Sequence, residues 1–263
     1  MKVTFIALSI IFMASSLKAQ TNTLLSGVYN LDSIKAPNTA VIQGKIKLQG
    51  STTDLDTLSV HTSTLAPGKT NHPPRALYDR EELIIVKQGQ LAITINDSSK
   101  ILGAGSIALI VAGDRQSFHN ASDKPVSYFV LAFKSTSPVN ISRGKASGGS
   151  LMKDWNELTV KKTTKGESRP VFDRPSSMFE RFEVHASAVN ASEDNHLAHT
   201  HRAEEIMFLM KGNITMNIAQ EKFKAGAGNI ILIRPDVLHN LTNTGNEQCW
   251  YYAIKWYNSA GEK

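Results

Sequence analysis

The sequence contains an internal repeat, and this feature limits the folds that are open to the chain. The paired stretches are 59–64 with 183–188, 71–89 with 195–212, 102–120 with 225–240, and 125–134 with 248–256. Self-similarity over such long stretches indicates two tandem copies of one structural unit. Each copy has about 110 residues, a normal size for a β-sandwich or a jelly roll.

The pattern within each copy favours β-strands. Segments of about four to eight residues rich in Ile, Val, Phe and Tyr are separated by Gly, Asn and Asp at close spacing, which is typical of short strands joined by turns. Sustained helical periodicity is missing, although DWNEL at residues 154–158 suggests a short helical turn. The sequence therefore predicts an all-β protein.

The chain begins with a segment that resembles a secretory signal peptide. Lys2 precedes a short apolar stretch, and small residues follow it, with a plausible cleavage site after Ala19. We therefore predict a signal peptide at residues 1–19 and an exported protein, either periplasmic or secreted. No later segment has the roughly 20 consecutive apolar residues of a membrane helix, so we expect no membrane association after cleavage.

Low-complexity composition marks the junction between the copies. Residues 135–150, STSPVNISRGKASGGS, are rich in Ser, Gly and Lys and are typical of a linker or an exposed crossover. We predict an N-terminal module at residues 22–138, a linker or crossover at 139–170 and a C-terminal module at 171–258.

Charge and cysteine content exclude several classes of protein. Loss of Lys2 and Lys18 with the signal peptide lowers the formal net charge from +6 by two, to +4, and the remaining lysines are widely spread. A nucleic-acid-binding surface is therefore not indicated. Cys249 is the only cysteine, which excludes an intrachain disulfide framework and a thiolate-rich metal site.

Two histidines and two glutamates precede an apolar run at residues 199–212, HTHRAEEIMFLMKG. Because side chains alternate along a strand, His199, His201 and Glu205 can face one side if the backbone between them is extended. His239 follows the apolar segment GNIILI, and a neighbouring strand could bring it opposite the other three. This grouping predicts a metal site.

The residue types limit the metal. Three imidazoles and one carboxylate leave one or two open positions on a five- or six-coordinate ion. Mn or Fe fits this set best, with Ni as an alternative. Zn is a further alternative, although zinc enzymes normally keep only three protein ligands plus water.

The motif resembles that of a known superfamily. His199-x-His201, Glu205 and Gly212, followed by Pro235, His239 and Asn243, are similar to the two motifs of the cupins, and the resemblance covers both halves of the chain. It implies an all-β fold of two tandem double-stranded β-helix (jelly-roll, cupin) barrels. It also implies His199, His201, Glu205 and His239 as metal ligands in the second barrel.

The first half departs from the motif. Alignment of the two NH and EE pairs places Arg75 and either Leu77 or Tyr78 where His199 and His201 stand. It leaves His72, Glu82 and His119 as polar candidates, and the segment before His119 runs three residues longer than its counterpart. We therefore expect a degenerate metal motif in the first barrel, whose polar residues have a structural or pocket-lining role. A degenerate metal site is the alternative.

Other residues are weaker candidates for the site. His196 is a candidate for the outer shell or rim of the metal site, whereas His61 and His185 are expected at surface or edge positions. Candidate pocket walls, each of which is also compatible with an ordinary core position, are Met207, Phe208, Met216, Trp250 and Tyr252.

Two functions remain open at this point. The favoured one is an exported metalloenzyme that acts on a small oxygen-rich or aromatic metabolite, by dioxygenase or by aminohydrolase or isomerase chemistry. Its layout resembles the ureidoglycine aminohydrolase-like bicupins, in which one barrel carries the metal. The alternative is a non-catalytic protein that binds or stores a metal or small ligand. The resemblance also implies a homo-oligomer.

Overall fold

A computed structural model of the chain describes residues 22–30, 41–42 and 46–258. The predicted signal peptide at residues 1–19 lies outside these ranges. Within them, the structure holds no helix of the length and apolar character needed to cross a membrane.

The first half of the chain is built from short strands. They are β1 (Gly27–Asn30), β2 (Val41–Ile42), β3 (Ile46–Gly50), β4 (Leu55–Leu65), β5 (Arg75–Ala76), β6 (Glu81–Gln88), β7 (Leu91–Ile95), β8 (Ser98–Leu102), β9 (Ile107–Ile110), β10 (Arg115–His119) and β11 (Val126–Ser135).

The second half repeats this arrangement after a connecting segment. That segment contains α1 (Ile141–Ala146), β12 (Leu151–Lys153), a 3₁₀ turn (Trp155–Glu157) and β13 (Lys161–Thr163). The following strands are β14 (Gly166–Arg174), β15 (Arg181–Val189), β16 (Glu204–Lys211), β17 (Asn213–Ile218), β18 (Glu221–Gly226), β19 (Asn229–Ile233), β20 (His239–Asn243) and β21 (Cys249–Tyr257).

Each half has one large sheet and one small sheet. In the first half the large sheet runs β12-β9-β6-β11-β4-β2, with β3 also paired to β4, and the small one runs β5-β10-β7-β8. In the second half the orders are β1-β19-β16-β21-β15-β14-β13 and β18-β17-β20. The predicted all-β fold of two tandem barrels is therefore confirmed.

The two barrels exchange their leading strands. β1 precedes the first barrel but pairs with β19 of the second, with Gly27 opposite Leu232. β12 precedes the second barrel but pairs with β9 of the first, with Leu151 opposite Leu109. Residues 139–170, predicted as a linker or crossover, are thus largely structured and contribute strands to both large sheets.

Apolar side chains form three clusters. One fills the inside of each barrel, and the third lies between the two large sheets. β16 shows why both faces of the central strands are apolar: Ile206 and Phe208 enter the shared cluster, whereas Met207 and Leu209 enter the second barrel. Complete burial of such side chains contributes about 1.5–3 kcal/mol each, so the barrels stabilise one another.

The first glutamate of each EE pair contacts the opposite half of the molecule. Glu204 is fully buried and accepts hydrogen bonds from Thr52 Oγ1 at 2.6 Å and Thr53 N at 2.8 Å, and from Trp256 Nε1 of its own barrel at 2.9 Å. Glu81 accepts one from Ser177 N at 2.6 Å. The two carboxyl groups therefore join the barrels in reciprocal fashion.

Candidate metal centre

Three histidines converge inside the second barrel. His199, His201 and His239 each offer one ring nitrogen, and these nitrogens lie within 4.8 Å of one another. The carboxylate of Glu205 adjoins them, with Oε2 at 3.1 Å from His201 Nε2 and 3.4 Å from His239 Nε2. The structure thus brings together all four residues that the sequence singled out.

The backbone reaches this arrangement differently from the predicted one. The chain bends at residues 202–203, and β16 begins only at Glu204, so the assumption of an extended segment is wrong. His199 instead forms an isolated bridge with His239, through N–H···O bonds of 3.2 and 3.0 Å. A turn before His239 donates Asp236 N–H to His201 O at 2.9 Å, and this bond fixes the loop against β20.

Hydrogen bonds on the far side of two imidazoles select the nitrogen that faces the cluster. His201 Nδ1 lies 2.8 Å from Ala203 O and His239 Nδ1 lies 2.8 Å from Val237 O. Because a carbonyl oxygen can only accept, each Nδ1 carries the hydrogen and Nε2 keeps its lone pair. His239 Nε2 is buried and has no hydrogen-bond partner, as expected of a ligand atom.

The electrostatics at Glu205 and His199 favour the protonation states that suit a metal. Burial raises the pKa of Glu205, but the adjoining side chains of His201 and His239 and the charge of Lys255 lower it below the ordinary value. Burial, together with the neighbouring His196 and His239, lowers the pKa of His199 to about 4. Neutral imidazoles and an ionised carboxylate suit a divalent transition metal.

Two neighbours support the ligand loop. Arg202 points away from the cluster and forms a bidentate pair with Asp54 of the first barrel, both N···O distances being 3.0 Å. The His196 ring packs edge-on against His199 with 4.2 Å between centroids, but it is not among the three clustered nitrogens. This position agrees with the expected place at the rim.

A cavity of about 200 Å³ opens beside the cluster. Its wall includes polar side chains from three neighbouring parts of the second barrel: Asn195, His196, His199, His185, Tyr251 and Lys255. The expectation that His185 occupies a surface or edge position is therefore wrong, because its strand turns that face toward the inside of the barrel. His61, its counterpart, is likewise partly buried, with a buried Nδ1.

The predicted pocket walls divide between two sides of the large sheet. Met207 and Met216 belong to the interior of the second barrel. Phe208 and Tyr252 are buried in the cluster between the barrels, so the prediction is wrong for these two. Trp250 packs against the same cluster and lines a separate cavity of about 490 Å³. Alternation along β16 and β21 separates the two sets, because successive side chains point to opposite faces.

Strand pairing also corrects the alignment of the two halves. Gln116 stands opposite Ile95, as His239 stands opposite Ile218, so Gln116 and not His119 is the counterpart of His239. Asn120 and Asn243 support this register, since each Nδ2 donates to two backbone carbonyls at equivalent positions. The three extra residues predicted before His119 are therefore absent.

The other ligand positions of the first barrel are also replaced. Arg75 pairs with Gln116 as His199 bridges to His239. Gly113 N donates to Leu77 O as Asp236 N donates to His201 O, which makes Leu77 the counterpart of His201. Only the carboxylate remains, as Glu82, which accepts from Gln116 Nε2 at 2.9 Å. Among the described residues, the first barrel presents no group of three metal-ligating side chains.

Comparisons with known proteins agree with this fold and site. A family model described as Cupin domain matches residues 61–132 and 187–255, which is more than half of the chain. The chain therefore belongs to the cupin family, as a two-barrel member. Proteins of this family commonly bind a transition metal and small-molecule substrates. A comparison with curated protein sequences returns no match.

Solved structures share the two-barrel architecture at low sequence identity. AerE from Microcystis aeruginosa is 19% identical with a TM-score of 0.62, covering 83% of this chain and 92% of its own. Protein Ylba from E. coli is 14% identical with a TM-score of 0.67, covering 94% and 98%. An oxalate decarboxylase from Lactobacillus farciminis, in a formate complex, is 12% identical with a TM-score of 0.69, covering 91% and 89%. At these identities the likeness concerns the fold alone.

Proposed function

We propose that the second barrel binds one divalent transition metal ion through His199, His201, Glu205 and His239, and that the protein is a metalloenzyme. The observation that carries the proposal is the convergence of three imidazole nitrogens on a buried carboxylate at the wall of a cavity. A bound ion of this kind would polarise a substrate oxygen or acidify a bound water. Mn or Fe suits the set best, and Ni and Zn are the alternatives.

The residues around the cluster favour a small oxygen-rich substrate. Lys255 Nζ lies 3.9 Å from Glu205 Oε2 and lines the cavity, so it can neutralise an anionic oxygen next to the ligands. The Tyr251 hydroxyl, which accepts from Asn195 Nδ2 at 3.3 Å, can offer its proton to the same substrate. A cavity of about 200 Å³ is smaller than the usual 300–1,000 Å³ of drug-sized sites.

These groups are compatible with several classes of reaction. The candidates are dioxygenase chemistry on a small acid or aromatic compound, and aminohydrolase or isomerase chemistry on an oxygen-rich one. The oxalate decarboxylase of similar fold is named for a substrate of this size class, and that similarity supports the choice of small acids as first compounds to test.

Metal content and turnover together test the proposal. Purified protein is loaded with Mn²⁺, Fe²⁺, Ni²⁺ or Zn²⁺, and elemental analysis is expected to find one ion per chain. The loaded protein is then given small mono- and dicarboxylic acids, ureido acids and dihydroxybenzoic acids while oxygen uptake, carbon dioxide and ammonia are measured. Turnover that is lost in His201→Ala supports an enzyme. One bound ion without turnover of any compound favours the alternative, a binding or storage protein. Absence of bound metal contradicts the metalloenzyme and the storage of a metal, and leaves only the binding of a small ligand.

The proposal includes export and self-association. Export rests on the sequence of residues 1–19, and the homo-oligomer rests on similarity to bicupins. N-terminal sequencing of the protein from its native host tests the first, where recovery of Met1 in the cytoplasm would contradict it. Light scattering tests the second, where a monomer at all concentrations would contradict it.

A further inference from the structure

His185 lies at the wall of the cavity and forms a hydrogen-bonded pair with the carboxylate of Glu183. His185 Nδ1 lies 3.1 Å from Glu183 Oε1, and the other oxygen of Glu183 accepts from Arg181 Nη2 at 3.0 Å. The hydrogen bond from His185 lowers the pKa of Glu183 more than burial raises it. An ionised carboxylate can only accept, so Nδ1 carries the hydrogen and the free lone pair of His185 is on Nε2.

Strand pairing connects this pair with the metal centre. Glu183 on β15 stands opposite Lys255 on β21, which in turn stands opposite Glu205 on β16. The three side chains therefore form a row of alternating charge across the sheet. Lys165 and Glu167 from the β13–β14 hairpin complete the charged surroundings of the cavity. His185 lines the same cavity as His199 and Glu205.

The first barrel carries the same histidine without these partners. His61 pairs with Val130 as His185 pairs with Ala253, so the two histidines are counterparts. In the first barrel the row of Glu183, Lys255 and Glu205 is replaced by Ser59, Ala132 and Glu82. His61 Nδ1 is buried without a hydrogen-bond partner. The carboxylate partner is thus present only in the barrel that has the three-histidine cluster.

We infer that His185 is the proton acceptor in the proposed reaction and that Glu183 is the residue that positions it. The inference rests on the proposed function of the second barrel. In this step an O–H or N–H bond of the substrate breaks and its proton bonds to His185 Nε2. The electron pair stays on the substrate atom, and the ionised Glu183 stabilises the imidazolium through Nδ1–H. The protonated His185 can return the proton to the product.

The first test measures the tautomer and needs no substrate. Protein labelled with ¹⁵N-histidine is loaded with diamagnetic Zn²⁺, and two-bond ¹H–¹⁵N spectra are recorded, with His185 assigned by its absence in His185→Gln. Neutral His185 is expected to carry its hydrogen on Nδ1 in the wild type and to become a mixture of tautomers in Glu183→Ala. His61 serves as the control and should not change. A hydrogen on Nε2 in the wild type, or no effect of Glu183→Ala, would overturn the inference.

The second test uses the compound that the wild type turns over. His185→Gln is expected to lower kcat by about 10²- to 10⁴-fold, the usual contribution of a general base, while its metal content stays unchanged. Glu183→Ala should also lower kcat. The matched control His61→Gln should keep the wild-type kcat. Full turnover by His185→Gln overturns only this inference. Metal-loaded wild type that turns over none of the compounds overturns both the enzyme proposal and the role of His185.

Discussion

The two barrels share one scaffold and differ in the residues that could carry chemistry. Both retain an inward carboxylate, Glu82 or Glu205, and both retain an asparagine, Asn120 or Asn243, that closes the same loop. The histidines at 199, 201 and 239 correspond to Arg75, Leu77 and Gln116. Residues that hold the fold can therefore be separated, within a single chain, from those proposed to bind a metal.

The same comparison explains how the first barrel keeps a buried glutamate without the neighbouring histidines. Gln116 is the counterpart of His239. It donates a hydrogen bond to Glu82, whereas His239 lies beside Glu205 in the second barrel. An unpartnered buried carboxylate would cost several kcal/mol, and the amide supplies the hydrogen bond that offsets part of this cost. Burial raises the pKa of Glu82, opposed by Arg75 and Arg80, whereas the pKa of Glu205 is lowered. The pKa values of the two carboxyl groups are thus shifted in opposite directions, and their partners differ.

The largest expected effect is on metal content. His201→Ala or Glu205→Ala should weaken metal binding by about 100-fold or more, because loss of even an outer-shell partner costs about 10- to 100-fold. The matched first-barrel variants Glu82→Ala, Gln116→Ala and His119→Ala should keep the wild-type content. Elemental analysis of identically purified proteins measures this. Two ions per chain, or loss of the ion in Glu82→Ala with retention in Glu205→Ala, would contradict the asymmetry.

The second effect concerns the contacts between the barrels. Glu204→Ala leaves several donors unpaired, among them Thr52 Oγ1, Thr53 N and Trp256 Nε1. Each unsatisfied buried donor costs about 1–3 kcal/mol, so the free energy of unfolding should fall by about 4 kcal/mol or more. Glu81→Ala, which removes one bond from Ser177 N, should cost about 2 kcal/mol. Urea denaturation measures both, and equal losses would show that the two carboxyl groups contribute alike.

The third effect is the pH dependence of Glu81. Burial raises its pKa from 4.5 to about 7, and the neighbouring Ser176 and Ser177 oppose part of this rise. A raised folded-state pKa contributes stability that is complete below pH 4.5 and is lost as pH rises through 7. Relative to wild type, Glu81→Gln should therefore gain roughly 3 kcal/mol between pH 4.5 and 7, at about 1.4 kcal/mol per pKa unit. Denaturation curves across this range give the comparison, and parallel stability profiles would rule out such a shift.

Much of the architecture follows from local sequence patterns. The repeat and the short apolar segments were sufficient to predict two tandem all-β modules, because burial of alternate side chains needs little information beyond each strand. The resemblance to the cupins implied that each module is a barrel. The helical turn expected at residues 154–158 forms at Trp155–Glu157, where Asp154 accepts from Asn156 N at 2.9 Å. The grouping of His199, His201, Glu205 and His239 was also predictable, since three of them lie within seven residues.

The sequence could not determine the register of the first barrel. The dipeptide His119-Asn120 resembles His239-Asn240, and this likeness placed His119 at a ligand position. Pairing of Gln116 with Ile95 decides otherwise. Register depends on hydrogen bonds and packing across neighbouring strands, and a shift of three residues changes the face on which each side chain lies.

Only the tertiary structure decided which face of each central strand meets the site. Strands such as β16 and β21 are apolar on both faces because one face fills a barrel and the other packs against the second large sheet. Hydrophobic alternation therefore cannot distinguish the wall of the cavity from the contact between barrels. For the same reason the sequence did not identify His185 and Lys255 as cavity residues. Their place beside the proposed metal centre depends on the pairing of β15 with β21. The sequence by itself determined the repeated strands and the set of proposed ligands, and the packing of two sheets determined what surrounds that set.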